Sequence, residues 1–238
     1  MNQVKFLIVF IALLLTSPSL KSQTSRGKSE NYFGLQIKTI LPNRLVGDQT
    51  FVLNENDFET TITPLVGHSY GGVVRIGLTK LLAVETGINY IRRNYRVSYN
   101  LKNIDLRSKD EVGYVSYDIP INMLVYIKLS KHIYMNVGIG ISTNFNASNI
   151  SSEINPQGTH LFKIEGGRFD YFDFNTNANL GFEFRTLNNG IFYLGMSGRV
   201  PFSPTFEVAS AYRNGTYKTV TKGTVEGSAF SLSLKYFL

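Results

Sequence analysis

The stretch YFDFNTNANLGFEFR, residues 171–185, separates almost completely by parity. Phe172, Phe174, Ala178, Leu180, Phe182 and Phe184 hold even positions. Asp173, Asn175, Asn177, Asn179, Gly181, Glu183 and Arg185 hold odd ones. Successive side chains of a strand point to opposite faces, so this is a strand with one apolar and one polar face.

The same period runs through the neighbouring segments. In 133–145 the apolar set Ile133, Met135, Val137, Ile139, Ile141 and Phe145 opposes Tyr134, Asn136, Gly138, Gly140, Ser142 and Asn144. At the end of the chain Phe230, Leu232, Leu234, Tyr236 and Leu238 oppose Ser231, Ser233 and Lys235. No segment after residue 31 keeps a 3.6-residue apolar period, and none has 18 apolar residues in a row. Eight strands are predicted: 32–41, 67–78, 82–95, 114–129, 133–145, 171–185, 190–202 and 226–238. Several exceed ten residues, enough for a tilted strand to cross a bilayer, which takes about 9–11.

The connections alternate in length. Tight turns around Thr79–Lys80, Ser130–Lys131 and Asn188–Asn189 join strands two to three, four to five and six to seven. Long polar connections occupy 42–66, 96–113, 146–170 and 203–225. Short turns on one rim and long loops on the other describe an antiparallel, eight-stranded transmembrane β-barrel, with short periplasmic turns and long extracellular loops. Two loops carry further strand-like pieces, 49–53 with 58–63 and 205–212 with 216–221, the second pair around Asn214-Gly215. They extend the hairpins above the membrane; the alternative is a ten-stranded barrel.

Period alone does not say which face meets lipid, because a soluble barrel puts its apolar set inside. The polar face carries Gly, Asn and Ser with charges of both signs: Lys38, Arg75, Arg93, Lys128, Arg185, Arg199 and Lys235 against Glu85, Asp118, Asp173 and Glu183. Small residues suit a narrow lumen, and charges of both signs there can pair. The polar face is therefore assigned to the lumen, and Phe33, Tyr90, Phe145, Phe172 and Tyr236 to aromatic girdles.

Composition agrees. Of 238 residues, 17% are charged and 13% aromatic, which excludes a disordered chain. The absence of Cys excludes disulfides, thiolate metal sites and a thiol nucleophile. Residues 1–22 read as a secretory signal peptide: Lys5, the apolar run 6–15, then small and polar residues, with Gln23 the new N-terminus. Residues 23–30 form a polar tether and 31–238 the barrel domain. The formal net charge is +7; without Lys5 and Lys21 the basic residues number 22 against 17 acidic.

The leader followed by Gln23, the segment Tyr117-Asp118-Ile119-Pro120-Ile121 and the alternating end 230–238 together resemble the porin-like outer-membrane β-barrel proteins of Bacteroidota. These include the PorT-like group; OmpA/OmpX-type barrels are more distant. The resemblance implies outer-membrane location and a last strand read by the barrel-assembly machinery. This chain ends Phe237-Leu238 rather than on an aromatic residue. Pro120 removes a ladder donor and predicts a bulge or kink.

Little chemistry is expected. His68, His132 and His160 lack metal-ligand spacing, and no metal, cofactor or catalytic residue is assigned. His68-Ser69 invites a lipid-ester reading, but adjacent strand residues face opposite sides. Glu165-Gly166-Gly167 has no helix after it to make a phosphate cradle. The sequons at Asn146, Asn149 and Asn214 are expected by chance. Asp105, Asp110 and Glu111 read as a solvated loop. Arg92, Arg93 and Arg96, with Lys102, Arg107 and Lys109, form the one basic concentration, a candidate contact for lipopolysaccharide phosphates. The expected role is a non-enzymatic outer-membrane barrel, structural or interacting. Its partners would be membrane lipid, lipopolysaccharide, the assembly machinery and, by the PorT-like resemblance, secretion-complex proteins; nucleic acid is excluded by location. A small diffusion pore and a lipid A-modifying enzyme are the alternatives.

Overall fold

A computed structural model describes residues 31–42, 50–156, 158–186 and 189–238. The expected leader 1–22 and tether 23–30 lie outside the described residues.

Thirteen strands follow in order: β1 (Asn31–Leu41), β2 (Phe51–Glu55), β3 (Phe58–Gly77), β4 (Leu82–Leu101), β5 (Leu106–Lys128), β6 (Ile133–Asn146), β7 (Ile150–Ile154), β8 (Leu161–Arg168), β9 (Phe172–Arg185), β10 (Ile191–Pro201), β11 (Phe206–Asn214), β12 (Tyr217–Val225) and β13 (Ala229–Phe237). Eight of them, β1, β3, β4, β5, β6, β9, β10 and β13, pair antiparallel in a ring that β1 closes against both β13 and β3. This is the eight-stranded barrel that the period-two segments predict. The ten-stranded alternative fails because β2, β7, β8, β11 and β12 stand outside the ring.

The short turns are fixed by hydroxyls. Thr79 Oγ1 accepts from the backbone N–H groups of Leu81 and Leu82 at 3.1 and 3.0 Å, and Ser130 Oγ from Ile133 at 3.2 Å. Thr186 Oγ1 accepts from Asn189 at 2.8 Å, and Gly190 takes a positive φ of 79° that a side chain would strain.

The long connections are themselves β structure: the strand-like pieces expected at 49–53, 58–63, 205–212 and 216–221 are found as β2, the start of β3, β11 and β12, whereas 96–113 and 146–170 depart from the expected loops. The 96–113 segment continues β4 and β5 up to a turn where Asp105 has φ 48°. The 146–170 segment, expected as a loop, holds β7 and β8. The 203–225 segment is the Asn214-Gly215 hairpin, β11 with β12. Strands β7, β8, β11 and β12 make a four-stranded sheet, while β2 pairs with the top of β3. Together with the upper halves of β3, β4 and β5 this sheet encloses a core of Phe58, Ile62, Tyr99, Phe162, Ile164 and Phe206. The barrel thus carries a folded head on its long-loop rim.

Pro120 interrupts the β4–β5 ladder between Thr86↔Ile121 and Asn89↔Asp118, and pairing resumes in the same register. The expected bulge is instead in β3, where Leu65 faces Asn94 but His68 faces Arg92. That extra residue flips the parity of β3: Arg75, Val73 and Ser69 point inward below it, and Ile62, Thr60 and Phe58 above it.

Candidate functional site

Around the ring the apolar set faces out and the polar set in. Ile139 is 66% exposed and Leu180 39%, whereas Asp118 and Glu183 are each 1% exposed. An apolar exterior around a charged interior is stable only in lipid, so the ring is a membrane-spanning barrel. A cross-strand row of aromatics, Tyr70↔Tyr90↔Tyr117↔Phe145↔Phe172, crosses five strands at the upper edge of the apolar band. Tyr70 and Tyr90 stack at 4.9 Å, and Phe145 and Phe172 lie 5.4 Å apart. Tyr90, Phe145 and Phe172 were assigned to a girdle from sequence; Tyr70 and Tyr117 complete it. Phe33 lies exposed at the short-turn end of β1, and Tyr236 packs on Phe192 at 5.0 Å nearby.

The lumen is held by two charged clusters. Nearer the short-turn rim, Arg75 bridges Glu85 at 2.8 Å and Glu183 at 2.7 Å. Lys235 on β13 binds Glu85 across β1 and β3, Arg185 reaches Glu183 at 3.0 Å, and Asn136 donates to Glu183 at 2.7 Å. Nearer the head, Arg199 pairs with Asp118 at 2.8 Å and donates to Asn144 at 3.2 Å. Gln36 donates to Asn89, which donates to Asp118 at 3.3 Å. Asn146 and Asn175 donate to Asp173 at 3.1 and 3.2 Å. Buried charges cost several kcal/mol of desolvation each unless paired, and every luminal carboxylate here has at least two donors. Glycines let the walls close in: Tyr193 lies across Gly181 and Gly195, where any Cβ would stand about 2.4 Å or less from the ring.

A cavity of about 30 Å³ lies among Lys38, Arg93, Asp118 and Arg199, room for one or two waters. Above it lies the head's apolar core. Below it, at the short-turn rim, a wider recess of about 440 Å³ opens outward past Tyr126, Tyr134, Lys80 and Lys128.

The sequence-derived candidates scatter. His68 is exposed and stacks on Tyr70 at 6.4 Å, while Ser69 is buried in the wall facing the lumen, so the pair cannot cooperate. His132 Nδ1 lies 3.2 Å from the Arg185 carbonyl, and His160 Nδ1 lies 2.7 Å from the Tyr212 hydroxyl inside the head. Asp105 pairs with Arg107 at 3.0 Å, Glu111 with Arg96 at 2.9 Å, and Asp110 accepts from Ser152. Among the described residues no three such groups converge as metal ligands. The basic concentration is split by the pleat: Arg92 and Arg96 face out, whereas Arg93 points inward and donates to the Gly227 carbonyl at 2.6 Å. Lys128, expected in the lumen, is exposed at the short-turn rim beside the Tyr134 ring. The asparagines that hold the luminal carboxylates were not singled out by sequence. Their signal is their inward parity beside an acidic residue two or more positions away.

No family model matches the chain, and no curated protein does. Among solved structures it is similar to the outer membrane protein OprG from Pseudomonas aeruginosa, at 12% identity and a TM-score of 0.51, over 87% of this chain and 95% of that one. It is also similar to the outer membrane protein AlkL in lipid bilayers, at 15% identity and a TM-score of 0.40, over 93% and 97%. The first likeness agrees with the fold read from the register: an antiparallel, eight-stranded membrane β-barrel.

Proposed function

We propose that this chain is a non-enzymatic outer-membrane protein whose barrel is a closed pedestal and whose β-structured head is the working part, a structural or interaction surface outside the cell. The observation that carries this reading is the set of ion pairs that span the lumen. Arg75, Glu85, Glu183 and Lys235 close the lumen from wall to wall, and the head's core lies above them. A small diffusion pore would need an aqueous path that these side chains occupy. Reconstitution into planar bilayers tests it: conductance at the lipid background is expected, and stable unitary steps would overturn the closed reading.

Location and orientation have their own test. Cysteine placed at Asn56, Lys102, Asn155 or Asn214 reacts with an impermeant thiol reagent on whole cells. Cysteine at Lys131 or Asn189 reacts only once the outer membrane is opened. The reverse pattern inverts the two rims.

Three partner readings belong with this proposal. The leader 1–22 exports the chain and β13 presents it to the barrel-assembly machinery. Arg92 stands one step above the Tyr70–Tyr90 stack, cross-strand from His68, where phosphates of lipopolysaccharide lie. A PorT-like place in a secretion complex would use the head, and crosslinking from native membranes identifies what it touches. Lipid A of unchanged mass in a deletion strain is expected of a protein that does not modify it.

A further inference from the structure

The recess at the short-turn rim is a different kind of place from the rest of the lumen. It measures about 440 Å³ and opens to solvent at the end of the barrel opposite the head. That volume is within the range of pockets that hold small ligands. Its lining carries four cations, Arg75, Lys80, Lys128 and Arg185, and no carboxylate.

The carboxylates beneath its floor do not cancel this charge. Glu85 and Glu183 are shared among Arg75, Arg185 and Lys235, three cations on two anions. Lys80 and Lys128 add to that surplus, and neither has a carboxylate partner among the described residues. Cations of one sign in a mouth with low-dielectric walls concentrate anions there.

Two further features favour a bound anion. The Arg185 guanidinium is stacked over the Tyr134 ring at 4.1 Å, with Lys128 on the same ring at 5.9 Å, so both are held at the recess. Tyr126, also in the lining, is 5% exposed, and its hydroxyl has no hydrogen-bond partner. A buried hydroxyl without a partner is destabilising, and a ligand oxygen would relieve it.

We infer that the short-turn mouth is a binding site for an oxyanion of the phosphate type, held by Lys80, Lys128, Arg185 and the Tyr126 hydroxyl. Several donors converging from β5, the β3–β4 turn and β9 suit a group with several charged oxygens. Such a group could come free from the compartment below or from a phospholipid head bent around the rim. The site does not rest on the closed reading of the lumen, since the recess opens at the rim itself.

The test uses the purified full chain in dodecylmaltoside with inorganic phosphate as probe, followed by calorimetry. Saturable binding in the millimolar range or tighter is expected. The double variant Lys80→Gln/Lys128→Gln should weaken it about ten-fold, and Tyr126→Phe, which keeps the ring, should weaken it several-fold. Lys218→Gln in the head should leave it unchanged. All three variants should keep the heat-modifiable gel mobility of the folded barrel. Repetition in nanodiscs separates the sources. A free anion binds equally in phosphatidylcholine and phosphatidylglycerol discs, whereas a headgroup site loses phosphate binding in phosphatidylglycerol. Absence of saturable binding in detergent, or equal binding by wild type and the lysine double variant, overturns the assignment.

Discussion

Strand β4 crosses two environments, and its two faces exchange character between them. Below Tyr90 the outward face reads Val84, Thr86 and Ile88, and the inward face Glu85 and Asn89. Above it the outward face reads Arg92, Asn94, Arg96, Ser98 and Asn100, and the inward face passes from Ile91 and Arg93 into Tyr95, Val97, Tyr99 and Leu101. The backbone and its pleat continue unchanged; only the solvent outside differs. In lipid the exterior must be apolar, and a narrow interior is filled by paired charges. In water the exterior is polar, and the interior is an ordinary hydrophobic core. The aromatic row Tyr70 to Phe172 marks the height at which one regime gives way to the other. The lesson is that polarity of a face has no meaning without the medium that the face meets.

The largest effects separate the two interiors. Glu183→Gln leaves Arg75 with one carboxylate and Arg185 with none in the wall of the lower lumen. Breaking a buried pair of this kind costs about 3–5 kcal/mol. The expected result is a lower urea midpoint for the barrel and loss of the fast-running unheated form on gels. Phe162→Ala removes a ring that stacks on Tyr99 at 5.0 Å in the head, and costs about 3–5 kcal/mol there. Limited proteolysis should then cut the head while the barrel keeps its gel mobility. If both variants destabilise both regions equally, the two interiors are one cooperative unit and the division fails.

A somewhat smaller effect separates the two exteriors. Ile139→Arg on the lipid face should cost about 2–4 kcal/mol near the bilayer midplane and lower the assembled yield. Thr224→Arg, exposed on the head and cross-strand from Glu207, should stay within about 0.5 kcal/mol. The chain has no Trp, so single substitutions report position directly. Fluorescence of Ile139→Trp or Leu180→Trp should be quenched by brominated acyl chains, and that of Asn179→Trp or Thr224→Trp should not. Equal protection at all four would show that the outward face of the ring does not meet lipid.

Much of the ring was legible in the sequence, because a strand with one face in lipid must alternate without error over its whole span. Residues 171–185 and 133–145 declare themselves for that reason. The head was legible only in its 49–63 and 205–221 hairpins, and the cause is physical. At 96–101 and 106–113 the alternation persists, but its sign is reversed, so polar residues on the former apolar face look like the start of a loop. In β3 the bulge at 65–68 breaks the parity between Pro64 and Gly67, so the upper half of a twenty-residue strand reads as a separate short piece. Strands β7 and β8 are five and eight residues long, too short to show a period. The luminal clusters were half legible. Charges could be assigned to the inward face, but which acid meets which base depends on the register across strands far apart in sequence, such as Glu85 with Lys235. The recess at the short-turn rim was not legible, since Lys80 in the β3–β4 turn and Lys128 at the end of β5 meet only through the β4–β5 register, with Arg185 brought in from β9.

The smallest expected effect lies inside the head and tests whether its core is a true apolar interior. Tyr99 is 1% exposed, stacked between Phe162 and Phe58, and its hydroxyl has no hydrogen-bond partner. Tyr99→Phe removes an unsatisfied polar atom and keeps the ring, so at neutral pH stability should be unchanged or higher by about 1 kcal/mol. Burial, with the Asp110 carboxylate adding to it, holds the Tyr99 phenol protonated above its ordinary range. Below about pH 10 the phenol is neutral in both folded and unfolded chains, and no stability is lost. Above that pH the unfolded chain gives up the proton and the folded chain does not. The folded state then loses about 1.4 kcal/mol per pH unit for each such phenol until the folded group also ionises. Denaturant midpoints of the head, followed by proteolysis from pH 8 to 11, should fall less steeply for Tyr99→Phe than for wild type. A parallel fall in both would mean that water reaches the Tyr99 hydroxyl and that the head is wetter inside than its side chains indicate. A lower midpoint for Tyr99→Phe at neutral pH would mean that the hydroxyl makes a hydrogen bond the fold depends on, and the contrast between a dry head and a charged lumen would weaken accordingly.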